Sequence, residues 1–103
     1  MSDIVESTLE LAKDKFKKFG FKDEQIAQLI SSGRKDLEQE IDKLKEILSS
    51  VDIDTKTLND SLHALKGLLL NMGNSKIADK LVELKNSDDS LLKIEQIKSI
   101  FKF

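Results

Sequence analysis

Thr55-Lys56-Thr57-Leu58-Asn59-Asp60-Ser61-Leu62-His63-Ala64-Leu65-Lys66-Gly67-Leu68-Leu69-Leu70-Asn71-Met72-Gly73 decides the fold. Its apolar residues Leu58, Leu62, Leu65, Leu69 and Met72 recur at spacings of four, three, four and three. At roughly 100° per residue they fall within an arc about 80° wide, the stripe of an amphipathic helix that buries one face. His63 lies about 140° from the centre of that arc and is expected to face water. Asn59, Lys66, Gly67 and Leu70 share its outward sector, with Lys66 and Gly67 as its i+3 and i+4 neighbours.

The same periodicity runs outward in both directions. Helix one is expected from about residue 3 to 19, with Val5, Leu9, Ala12, Phe16 and Phe19 on one stripe and Asp14 and Lys18 placed as an i,i+4 pair. Gly20 stops it at a position where glycine enters the left-handed region cheaply. Asp23 caps helix two, whose stripe reads Ile26, Ile30, Gly33, Leu37, Ile41, Leu44 and Leu48. Gly33 either permits close packing or, with Ser31 and Ser32, breaks that segment into two helices. Asp54 or Thr55 opens helix three and Gly73 closes it. Asn74 or Ser75 caps helix four, with Ile77, Leu81 and Leu84 inward. Ser87 or Asp88 caps the last helix, which carries Leu91, Ile94, Ile97 and Phe101 on its inner face.

Proline is absent and alternating strand patterns are missing, so the class is all-α. Every connection is short, which makes consecutive helices antiparallel neighbours. The expected architecture is an up-down antiparallel four-helix bundle over about residues 23 to 102, with an additional N-terminal helix capping it. One domain of 103 residues is as much as this length supports.

Composition narrows function. Seventeen basic and nineteen acidic residues leave a net charge of −2, with no basic footprint for nucleic acid and no cationic stripe for a membrane. Cysteine is absent and histidine occurs once, which removes disulfides, thiolate chemistry and any ordinary zinc site. The acidic first residues are not those of a secretory signal, so a cytoplasmic protein is expected. A monomer is expected separately, since Phe101 and Phe103 are read as closing the end of the bundle and not as a self-association surface. No phosphate-binding glycine loop accompanies the histidine, and the chain is not expected to use ATP or to be an enzyme in its own right.

The segment His63-Ala64-Leu65-Lys66-Gly67, with Gly73 ten residues after the histidine, resembles the signature of histidine-containing phosphotransfer (HPt) domains. Leu37 to Leu48 looks like the family's preceding core helix, and Ile77 to Leu84 like the following one. The resemblance covers about residues 35 to 100. Where the family usually has small residues after the glycine, Leu68, Leu69 and Leu70 stand here, and Leu62 stands where alanine is common.

The resemblance implies that His63 accepts a phosphoryl group and exchanges it with a receiver-domain aspartate of a response regulator or hybrid kinase, or takes it from a histidine kinase. Mg²⁺ is then supplied by the receiver, and the chain has no cofactor of its own. The residues suit this chemistry. Imidazole, with an unperturbed pKa of about 6.5, is a nucleophile near neutrality without a base beside it. Lys66 offsets the added charge and donates to phosphate oxygens, and Gly67 leaves room for a donor. Leu70 is expected to centre an apolar docking patch and Asn59 to sit at its rim. The bland alternatives are a solvated surface lysine, a surface leucine and a packing glycine. A helical adaptor that docks a signalling partner without being phosphorylated is the competing reading of the whole chain.

Overall fold

The computed structural model describes residues 3–103; Met1 and Ser2, included in the expected domain, lie outside the described residues. It is all-helical, with five helices and no strand among the described residues: α1 (Asp3–Lys18), α2 (Asp23–Leu48), α3 (Thr55–Asn71), α4 (Ser75–Lys85) and α5 (Ser90–Phe101). None of them is long and apolar enough to cross a membrane.

The stops are built as the glycines suggest. Gly20 and Gly73 have φ of +83° and +84°. At the first, the Phe21 amide donates to the Phe16 carbonyl and the Gly20 amide to that of Lys17. This is the paired bonding of a Schellman motif, and its usual apolar contact is present as the edge-to-face pair Phe16–Phe21, with ring centroids 5.8 Å apart. At the second, Asn74 donates to Leu69 and Gly73 to Leu70.

The N-caps correct the expectation twice. Helix α2 starts one residue earlier than an Asp23 cap requires: Lys22 is the cap position, and its amide donates to Gln25 Oε1 at 3.0 Å. The cap of α5 is Asp89, not Ser87 or Asp88, with its carboxylate accepting from the Leu92 amide at 3.1 Å. Asp54 and Asn74 cap α3 and α4 as expected.

Helix α2 is continuous through Ser31-Ser32-Gly33. Gly33 instead permits a close approach, since a Cβ there would lie 2.7 Å from Met72 Cε. Helix α3 packs between α2 and α4, α1 lies along α2, and α5 touches α4 and α1. The core joins Val5, Leu9 and Ala12 of α1 to Leu37, Ile41 and Leu44 of α2. Leu62, Leu65 and Leu69 of α3, Leu81 of α4, and Ile97 and Phe101 of α5 also belong to it.

Three sequence expectations fail on packing. Phe19 follows the last turn of α1 and is 69% exposed, so it is not part of the stripe. Leu91 is 77% exposed. The inner face of α5 is Lys93, Ile97 and Phe101, with Ile94 at its margin, and relative to Ile97 the Leu91 position is rotated roughly 120° away. A charged residue at the buried position is what shifted the reading. Asp14 and Lys18 form no ion pair with each other, whereas Arg34 pairs with both Glu6 and Glu38.

Candidate functional site

Helix α3 is held in rotation by two kinds of contact. Leu58, Leu62, Leu65 and Leu69 are buried. Between them Ser61, also buried, donates to Glu40 Oε1 of α2 at 3.2 Å, which satisfies its hydroxyl and pins that face inward. The N-terminus is fixed by Asp54, whose Oδ2 accepts from Thr57 Oγ1 at 2.7 Å and whose Oδ1 accepts from the Lys56 amide. The Thr57 bond, foremost, holds the Asp54 carboxyl below its ordinary value. The C-terminus is tied by Lys15 of α1, whose Nζ reaches the Asn71 carbonyl at 2.9 Å and that of Leu70 at 3.4 Å. A cation there also meets the negative end of the helix dipole.

So held, α3 presents His63 and Ala64 to solvent, with Lys66 and Gly67 half-buried beside them. A Cβ built on Gly67 would meet nothing within 4 Å. The packing alternative for this glycine is therefore gone, and the space it leaves is open.

His63 lines a cleft of about 200 Å³ between α3 and the last turns of α4. Leu62 and Leu81 form its apolar floor. His63 and Lys66 stand on one wall, Val82, Lys85 and Asn86 on the other. The lining thus brings two lysines and an asparagine into one cleft with a single histidine, residue types whose donors suit the oxygens of a tetrahedral anion. Among the described residues, no group of three or more histidine, aspartate or glutamate side chains is placed to hold a metal ion.

The other two expected site residues are elsewhere. Leu70 is 42% exposed on the same side of α3 but does not line the cleft. Asn59 is half-buried and turned toward α5, its Oδ1 accepting from Lys93 Nζ at 2.6 Å. The same ammonium donates to the Lys85 carbonyl at 3.3 Å. Burial, and then the charge of Lys85, lower the pKa of Lys93.

Lys85, Asn86, Val82 and Lys93 were not found from the sequence. The first three were within reach of it. If α3 and α4 are antiparallel about Gly73, residues about ten positions beyond that glycine must come opposite His63, ten before it. Lys93 carries no such signal, since a lysine among apolar residues reads as a break in the stripe.

No protein-family model, curated protein or solved structure matches this chain.

Proposed function

We propose that this protein is a phosphorelay carrier of the histidine-containing phosphotransfer type, with His63 as the phosphoryl acceptor. The observation that carries the reading is the cleft itself. An exposed imidazole shares it with Lys66 and Lys85, next to a glycine whose missing side chain leaves open space. The architecture read behind it is the up-down four-helix bundle of α2 to α5 with α1 added. The facing pairs Gly33–Met72 and Glu40–Ser61 support its α2–α3 hairpin.

In the proposed step a ring nitrogen of neutral His63 attacks the phosphorus of an aspartyl phosphate on a receiver domain. The N–P bond forms, the acyl P–O bond breaks, and the receiver carboxylate leaves with its electron pair. The second ring nitrogen keeps the proton. The reverse step returns the group to a receiver aspartate. Lys66 and Lys85 neutralise charge on the phosphoryl oxygens, and Gly67 gives the donor an unobstructed line of approach. In-line geometry and Mg²⁺ belong to the receiver of the response regulator or hybrid kinase.

Incubation with a phosphorylated receiver domain, followed by a stability assay of the label, tests this. The expected product is acid-labile and alkali-stable, and His63→Gln folds normally while accepting none. Label retained on that variant at the wild-type level would refute the assignment. A receiver complex with no label on the wild type would favour a docking adaptor, for which exposed Leu70 and Val82 supply the apolar contacts.

A further inference from the structure

Lys93 is 4% exposed, and its ammonium is held by two neutral oxygens. Burying a charge without a charged partner is costly, and a methionine of similar length would fill the same space without that cost. The acceptors are Asn59, one turn before His63 on α3, and the carbonyl of Lys85, whose side chain lines the opposite wall of the cleft. One side chain from α5 therefore joins the two helices between which the cleft opens.

We infer, resting on the phosphoryl-carrier reading of that cleft, that Lys93 is a positioning residue: its ammonium clamps the α3 turn carrying Asn59 to the last turn of α4 and so fixes where Lys85 and Asn86 stand relative to His63. It touches no phosphoryl group itself. Its effect passes through the backbone of Lys85, and α5 becomes part of the site without contributing a residue to the cleft.

The residues after Lys85 make the clamp consequential. Helix α4 ends at Lys85, and Asn86 is its C-cap, so the wall ends in a chain terminus of the helix rather than in a continuing turn. A terminal carbonyl of this kind has no intrahelical partner and is held only by what reaches it from outside. Lys93 is that partner. Without it the Asn86 and Ser87 amides still close the turn on Val82 and Leu84, but this tie to α3 is gone, and Lys85 and Asn86 shift relative to His63.

Lys93→Met tests the clamp, with Ile97→Val as a control that weakens α5 one turn away and leaves the two bonds in place. Three readouts are taken: amide NMR shifts of Lys85 and Asn86, affinity for inorganic phosphate, and lifetime of phosphohistidine. The adduct is made with phosphoramidate, whose P–N bond breaks with ammonia leaving as the His63 N–P bond forms. Lys93→Met is expected to displace the Lys85 and Asn86 amides, weaken phosphate binding several-fold and shorten the adduct's lifetime, while Ile97→Val changes none of these.

If Lys93→Met does not fold, Asn59→Ala, which removes one end of the clamp, is expected to displace the same two amides. The inference is overturned if Lys93→Met, or Asn59→Ala in its place, leaves those amides where Ile97→Val leaves them. A wild-type His63 that takes no phosphoryl group from phosphoramidate or from a receiver overturns the carrier reading instead. The amide shifts then decide the clamp by themselves.

Discussion

At the scale of single residues, two glycines with equally open surroundings predict opposite outcomes. A Cβ at Gly67 and one at Gly20 would each meet nothing within 4 Å. Gly67 lies inside α3, where alanine is favoured over glycine by about 1 kcal/mol, so Gly67→Ala is expected to raise stability by up to that amount. Gly20 has a φ of +83°, so Gly20→Ala is expected to cost about 1 kcal/mol or more despite the empty space. Urea denaturation of the pair reads both signs. A larger side chain separates stability from function at the first position: Gly67→Gln should fold at least as well as the wild type yet slow phosphoryl transfer sharply, because its side chain occupies the approach to His63. Unchanged transfer rates would remove the steric role from this glycine. The position of His63 was legible from the sequence because Leu58, Leu62, Leu65 and Leu69 fix a helical face that the single outward leucine, Leu70, does not outweigh. Leu91 was misread for the converse reason. The buried face of α5 includes a lysine, and an alphabet that excludes charge from the interior rotates that face toward the nearest leucine.

At the scale of elements, the caps carry tertiary information that a sequence reading treats as local. Asn74 is an N-cap of α4, accepting from the Ile77 amide at 3.3 Å, and this much the sequence offered. It is also 5% exposed, and its Nδ2 donates to Thr8 Oγ1 of α1 at 2.8 Å. The second bond joins residues far apart in sequence, and no local pattern announces it. Asn74→Ala therefore removes a cap and strands a buried hydroxyl together. The expected loss is about 2–3 kcal/mol, above the roughly 1 kcal/mol typical of a cap alone. Asn74→Asp keeps the acceptor but gives up the donated bond, and is expected to fall between the two. A loss of only about 1 kcal/mol for Asn74→Ala in chemical denaturation would mean that the Thr8 bond contributes nothing. Gly33 follows the same logic. Its place on the α2 stripe was visible, but only the facing Met72 decides between a close approach and a break. Because the atom in the way is the end of a flexible side chain, Gly33→Ala is expected to be near neutral, whereas Gly33→Val should lose about 1–3 kcal/mol by overpacking.

At the scale of the whole molecule, α5 is coupled to the proposed site although none of its residues lines the cleft. It touches α4 and α1, and its hold on them rests on Ile97 and Phe101, both fully buried, with Phe103 stacked on Phe101 at a centroid distance of 5.7 Å. Phe101→Ala should cost about 3–5 kcal/mol, as expected for emptying a core aromatic site. A domain of this length has a total stability of about 5–15 kcal/mol, so that loss is a large share of it. At about 4–8 °C per kcal/mol, the midpoint of thermal unfolding should fall by at least 12 °C or so. The loss is not expected to be evenly spread. Lys93 sits two turns before Phe101 on the same helix, so loosening α5 withdraws the ammonium from Asn59 and Lys85 before the packing of α2 against α3 is disturbed. Hydrogen exchange on Phe101→Ala at a temperature where it remains folded should therefore show early loss of protection in α5 and the last turn of α4. Amides of α3 around Leu62 and Leu65 should exchange last. Uniform loss of protection across all five helices would instead mean that α5 is integral to one cooperative core, and that no intermediate step links its docking to the shape of the cleft.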